Sequence, residues 1–217
     1  MQQGFFISFE GGEGAGKSTQ IKRLAKALEQ KGYDLVITRE PGGTAGAEAV
    51  RYVLLSGYGE KYGASLEAAL FAAARADHID VLIEPALKSG KIVLCDRFID
   101  STRVYQGAAS PQLATTVDAL EQAAIKNIRP NITFILDLPA EVGLARANSR
   151  RSADSAVDRF EKDDVLIHEN RRQAFLDIAQ KEPDRCVIID AEGDIDQIAN
   201  EILSNVEHKL HQTQLLK

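Results

Sequence analysis

The sequence predicts a three-layer α/β/α fold in which a five-stranded parallel sheet lies between two layers of helices. Three observations carry this. Short apolar runs alternate with segments of helical periodicity along the whole chain, the pattern of a parallel sheet joined by crossover helices. A G-x-x-x-x-G-K-[ST] match, Gly11 to Ser18, stands between the first such run and the first such helix. At 44% apolar and 27% charged over 217 residues, the composition is that of a globular protein, which excludes a disordered or fibrous chain.

The elements follow in order. Phe5 to Phe9 is a strand ended by Glu10-Gly11-Gly12. From Ser18 to Lys31, Ile21, Leu24, Ala25 and Leu28 recur at i, i+3, i+4 and i+7, a helix closed by Gly32. Asp34 to Thr38 is a second strand, and the helical pattern of Ala45 to Ser56 runs into a glycine turn. Ser65 to Leu87 reads as one long alanine-rich helix with Pro85 near its end. Ile92 to Cys95 is the third strand, Pro111 to Lys126 a helix and Ile132 to Leu138 the fourth strand. Helices over Ala140 to Ala147 and Asp163 to Gln180 precede the fifth strand, Cys186 to Asp190, and Ile195 to Lys209 closes the series. No repeat or linker divides the chain, so residues 1–217 read as one domain.

Lys and Arg number 26 against 32 Asp and Glu, a net charge of −6. A protein that lives on phosphate backbones carries the opposite sign, so nucleic acid is not an expected partner. Cys95 and Cys186 each border an apolar run and read as buried strand thiols rather than a disulfide framework. His78, His168, His208 and His211 lack the spacing of a metal site. The N-terminus has no basic region of a signal peptide, and no apolar run approaches the roughly 18 residues of a membrane span. The expectation is a cytoplasmic protein with no membrane partner.

Ligands of open parallel sheets bind beyond the carboxyl ends of the strands. There Gly11, Gly12, Glu13, Gly14, Ala15, Gly16, Lys17 and Ser18 form a loop whose inward N–H groups cradle a nucleoside triphosphate. Lys17 supplies a charge for the outer phosphates, and the Ser18 hydroxyl is placed to ligate Mg²⁺. Asp96, at the end of the third strand, either completes the Mg²⁺ shell or caps the next turn. A guanine-reading N-K-x-D is absent, which excludes a GTPase switch.

Thr38-Arg39-Glu40-Pro41-Gly42-Gly43-Thr44, the stretch Leu70 to Arg75, and the run from Asp96 through Arg97 to Gly107 together resemble thymidylate kinases of the bacterial type. With the phosphate loop, the likeness runs from residue 5 to about 200. It implies a P-loop nucleoside monophosphate kinase-like fold and a homodimer. The activity it implies is direct in-line transfer of the γ-phosphoryl of Mg-ATP to dTMP, giving dTDP and ADP, a step in dTTP synthesis. The residues agree with such an acceptor: a monophosphate with a second pKa of about 6 is already an ionised nucleophile and requires alignment and charge neutralisation rather than a base.

On that reading Arg97 reaches the acceptor phosphate, with Arg39 and Glu40 on the same side. Phe71 and Arg75, at i and i+4 on the long helix, are either core and solvated charge or a stacking plane and a donor to a ring carbonyl; the resemblance implies the second. It also assigns Ser101, Thr102, Tyr105 and Gln106 to the base and sugar, and turns Glu13 toward the sugar hydroxyl or a bridging water. Arg103 departs from the family pattern, and its direction is open. Arg146, Arg150 and Arg151 border a small polar run read as a lid over about 146–160, with either Arg150 or Arg151 as the catalytic arginine that the phosphate loop lacks. A deoxynucleoside kinase, with Glu40 as base, is the nearest rival. A non-enzymatic nucleotide-binding domain is the more distant one.

Overall fold

The computed structural model describes residues 4–57, 62–150 and 164–213. Among these, β1 (Phe5–Gly11), β2 (Leu35–Arg39), β3 (Ile92–Asp96), β4 (Ile132–Asp137) and β5 (Cys186–Asp190) form one sheet in the order β2-β3-β1-β4-β5. Every pairing is parallel, as the alternation of strands and helices requires.

The period of two in β1 divides the core. Phe5, Ile7 and Phe9 face one layer, against Ile21, Leu24 and Leu28 of α1 (Lys17–Gln30) and Ile198, Ile202 and Val206 of α9 (Ile195–Gln212). Phe6 faces the other. It packs there with Val93 and Cys95 of β3, Ile99 of α5 (Ile99–Tyr105) and Ile125 of α6 (Pro111–Ile125). Each such fully buried side chain contributes on the order of 1.5–3 kcal/mol relative to exposure. Both cysteines are free thiols buried in β3 and β5.

The long alanine-rich helix differs from its expected form. It is built from α3 (Gly63–His78), a π-turn over Ile79–Ile83 and α4 (Glu84–Lys88). Pro85 has no N–H to return to the carbonyl four residues back, and just before it the Glu84 N–H reaches five residues back to Ile79 O. The widened turn accommodates the proline without breaking the rod. The remaining helices are α2 (Ala45–Leu55), α7 (Ala140–Arg150) and α8 (Val165–Lys181). Thr44, Ser110, Asp164 and Asp194 cap α2, α6, α8 and α9 with side-chain oxygens.

Register decides what meets at the carboxyl edge of the sheet. Arg39 pairs with Asp96, and Asp96 with Phe9. The phosphate loop, the turn after β2 and the turn after β3 therefore open onto one face. Among the described residues no helix is long and apolar enough to cross a membrane.

Candidate active site

The phosphate loop is held from outside as well as by its own glycines. Gly14 has φ +71, and a Cβ there would lie 1.9 Å from Gly143 O of α7. Reciprocally, a Cβ on Gly143 would lie 2.3 Å from Glu13 O. Backbone thus lies directly on backbone, which only two glycines permit. The Lys17 ammonium folds onto the loop, donating to Gly11 O (3.0 Å) and Gly12 O (2.9 Å). Burial and the neighbouring Arg97 lower its pKa, while Glu13, Asp96 and Glu10 oppose them. Ser18 Oγ donates to Asp96 Oδ2 at 2.8 Å, so the two residues expected to hold Mg²⁺ are already adjacent.

Arg97 follows β3 in a left-handed conformation, φ 67, with its N–H on Phe9 O at 2.9 Å. This turn directs the side chain across the mouth of the phosphate loop. Nη1 donates to Gly11 O (3.2 Å) and Ser101 Oγ (3.1 Å), Nη2 donates to Glu13 Oε1, and the guanidinium lies 5.3 Å from the Tyr105 ring centre. Burial works against its charge, but Tyr105, Glu13, Asp96 and Glu10 outweigh it and hold the pKa above the ordinary value. For Glu13, burial pushes upward, yet Arg97, Lys17 and His168 prevail and pull the carboxyl down to about 2. Glu13 therefore faces Arg97.

Beside this pair lies a cavity of about 210 Å³. Glu13, Arg39 and Glu40 line it with Phe71 and Arg75. So do Arg97, Ser101, Thr102, Tyr105 and Gln106. Every residue assigned to the acceptor from the sequence thus lies on one wall or another of the same cavity.

Arg75 is 2% exposed and is held at Nε and Nη2. Nε donates to Glu40 Oε2 (2.8 Å), and Nη2 to Phe98 O (3.1 Å) and Thr102 Oγ1 (3.0 Å). Glu40 is occupied at its other oxygen by His78 Nδ1 (3.0 Å), whose Nε2 lies 2.7 Å from Thr38 Oγ1. Because a carboxylate only accepts, the His78 proton is on Nδ1. Glu40 thus ties Arg75 and His78 together, one at each oxygen, while lining the cavity. Gln106 is 1% exposed; its Nε2 donates to Glu67 Oε2 at 3.4 Å and its Oε1 has no hydrogen-bond partner.

Some expectations resolve differently in detail. Arg39 stands at the rim, about half exposed, and bonds Glu48 at 2.7 Å. Ser101 and Thr102 lie in the first turn of α5, and their hydroxyls hold Arg97 and Arg75. Arg103 turns away from the cavity to Glu121, Asp100 and Glu182. Of the expected lid, residues 146–150 end α7, and Arg146 Nη1 donates to Ala191 O at 2.9 Å. Arg151 and the rest of the lid lie outside the described residues, as does the side chain of Arg150.

Sequence reasoning missed Glu10, Arg51, Leu55 and Phe98. Arg51 and Leu55 line the cavity at i and i+4 of α2, and Arg51 Nη1 reaches Pro41 O at 2.8 Å. On a surface helix such a pair carries no signal that separates it from a solvated face. Glu10 did carry one: Phe6, Ser8 and Glu10 form the side of β1 opposite Phe5, Ile7 and Phe9, and that row turns polar at the edge of the sheet.

The thymidylate kinase family model matches residues 9–202. A thymidylate kinase of Bartonella quintana (strain Toulouse) is 53% identical over 207 residues, covering 95% of this chain and 96% of the relative. One from Bartonella henselae is 54% identical over 200 residues, covering 92% and 93%. The crystal structure of thymidylate kinase from Ehrlichia chaffeensis superposes with a TM-score of 0.74 at 34% identity, over 94% of this chain and 99% of the other. The chain belongs to the thymidylate kinase family, enzymes that phosphorylate dTMP on the route to dTTP.

Proposed function

We propose that Arg97 holds the phosphate of dTMP while the loop from Gly11 to Ser18 holds the triphosphate of ATP, so that the acceptor oxygen attacks the γ-phosphorus in line. The observation that carries this is the placement of Arg97, which bonds the phosphate loop at Gly11 O and Glu13 while lining the acceptor cavity. A dianionic phosphate entering there competes with Glu13 for the guanidinium, and a bidentate arginine fork favours the phosphate. No residue serves as base, because the acceptor oxygen carries no proton to remove at neutral pH. Lys17 exchanges the carbonyls of Gly11 and Gly12 for phosphate oxygens, and one of Arg150 and Arg151 adds charge from the lid segment that completes the single domain.

Mg²⁺ fits the residues present: Ser18 and Asp96 would hold it, and it would neutralise charge between the outer phosphates. The remaining positions of its shell would be filled by oxygens of ATP and water.

At the acceptor end, Phe71 stacks on thymine, while Arg75, rigidly bonded on its far side, and Gln106, with one amide atom unengaged, face the ring. Thr102 and Tyr105 complete the base and sugar walls, with Arg39 at the rim. The protein acts as a cytoplasmic homodimer; exposed Tyr52 and Val53 of α2 and Leu66 of α3 supply the apolar face a second subunit would cover.

The test is ADP release with Mg-ATP and a panel of dTMP, dUMP, UMP, CMP, AMP and thymidine, beside light scattering for the mass. Turnover strongest with dTMP and negligible with thymidine supports the reading. Turnover with thymidine would make Glu40 a base and contradict it.

A further inference from the structure

Arg97 owes its position to a carboxylate from another element. The first turn of α5 has no capping side chain of its own; its N-cap residue is Phe98. Glu10, at the end of β1, takes that place: Oε1 accepts from Phe98 N (2.7 Å) and Ser101 N (3.3 Å), and Oε2 accepts from Ser101 Oγ (2.6 Å). Ser101 Oγ in turn accepts from Arg97 Nη1 at 3.1 Å. The relay Glu10–Ser101–Arg97 thus runs from a strand of the core to the acceptor cavity, and Glu10 itself is 0% exposed and does not line that cavity.

We propose that Glu10 is a positioning residue for the acceptor half of the reaction: ionised, it caps α5 and orients Ser101 so that the Arg97 guanidinium is set for the incoming phosphate. This rests on the reading of Arg97 as the phosphate-holding residue.

The protonation state of Glu10 matters because all three groups bonded to it, two from Ser101 and one from Phe98, donate. A proton on Oε2 makes Glu10 the donor to Ser101 Oγ, so the hydroxyl hydrogen must turn to another acceptor and the orientation of the oxygen that receives Arg97 Nη1 changes with it. The groups facing Glu10 are Asp100 from α5, Arg97 from the preceding turn, Lys17 from α1, Cys95 from β3 and Cys186 from β5. Burial, then Asp100, push its carboxyl up to about 7 against the opposing bonds from Ser101 and Phe98 and the charge of Arg97. A carboxyl raised this far puts the change of state of the relay near neutral pH. Ionised Glu10 also costs folding stability: with the folded pKa above the unfolded value, stability falls as pH rises through about 7.

The experiment compares wild type, E10Q, S101A, the double variant and R97A. It reads kcat/KM for dTMP from pH 5.5 to 8.5, Mg-ATP affinity by calorimetry, and Tm at pH 8. The expected E10Q protein keeps Mg-ATP affinity within about threefold and its Tm at or above wild type, since it buries no charge. Its kcat/KM for dTMP falls about tenfold at pH 8, the size of one charge-assisted hydrogen bond. Its pH profile keeps only the limb of the acceptor's own phosphate, near pH 6, and loses the limb near 7. The losses in E10Q and S101A do not add in the double variant, because they break one relay. An E10Q profile superimposable on wild type, equal losses of dTMP and ATP binding, or additive losses would overturn the proposal. Unchanged dTMP kinetics in R97A would instead overturn the reading of Arg97. If E10Q does not fold, S101A alone decides: it must shift the limb near 7, and an unshifted limb overturns the proposal.

Discussion

Glu13 of the phosphate loop and Arg97 of the turn after β3 form an ion pair across the mouth of the acceptor cavity. Each holds the other in a charged state: burial alone would raise the Glu13 pKa, but Arg97, Lys17 and His168 pull it from 4.5 to about 2. A carboxyl depressed in the folded state stabilises the fold above its unfolded pKa, and the contribution disappears as pH falls from about 4.5 through 2. In urea unfolding, E13Q is expected to cost about 2 kcal/mol at pH 7 and nearly nothing at pH 2, given that the pair is partly rather than fully buried. A constant difference across that range would place the Glu13 contribution in packing instead of charge.

The contact between Gly14 and Gly143 makes α7 a support of the phosphate loop. A methyl on Gly143 would stand 2.3 Å from Glu13 O, and neither backbone can retreat without moving its helix or loop. G143A is expected to weaken Mg-ATP binding tenfold or more while costing about 1–3 kcal/mol of stability, the usual range for overpacking. Calorimetric titration with the nucleotide, beside a melting curve, checks both. Nucleotide affinity equal to wild type would mean that the loop is independent of α7.

Arg75 depends on Glu40, with side chains 3% and 4% exposed. Removing the carboxylate leaves a buried guanidinium unpaired, so E40A is expected to lose about 3–5 kcal/mol. E40Q keeps the shape and is the better kinetic probe. It should raise KM for dTMP about tenfold through a less ordered Arg75, with a smaller change in kcat. A collapse of kcat with KM unchanged would point to a base and to the nucleoside kinase chemistry set aside above.

Arg103 binds α5 to its surroundings through Glu121 (2.7 Å) and Glu182 (2.6 Å), and pairs with Asp100 (3.2 Å) within the helix. Asp100 is also gripped by Arg185 at 2.8 and 2.9 Å. R103A is expected to destabilise by about 2–4 kcal/mol, since it strips partners from the buried Asp100 and Glu121. Because Arg103 does not line the cavity, KM for dTMP in the surviving folded enzyme should stay within about twofold. Thermal melts and steady-state kinetics on the same preparation separate the two effects.

How far these relationships could be read from the sequence depends on their range along the chain. The phosphate loop, the strands and the helical faces are local patterns, and the expected elements stand in the structure within three residues of their expected ends. The acceptor residues were legible as a set through the resemblance to thymidylate kinases, which picks them out among residues that follow a strand or share one helix face. Their division of labour was not. Whether Ser101 meets a base or an arginine depends on Glu10, distant in sequence but brought beside it by β1. Arg103 could not be aimed until α6 and the loop before β5 were placed around it. The π-turn before Pro85 was hidden for a subtler reason: a proline in a helical pattern predicts an end or a kink, and only packing of Ile79 and Ile83 on the sheet kept the rod continuous.

The most direct test of the account is the response of wild type and R97A to dTMP and to Mg-ATP measured separately. If Arg97 holds the acceptor phosphate, R97A should lose about 10²–10³ in kcat/KM for dTMP, the cost of one preorganised charged donor, while Mg-ATP affinity stays within about threefold. Equal losses for both nucleotides, or none for dTMP, would contradict it.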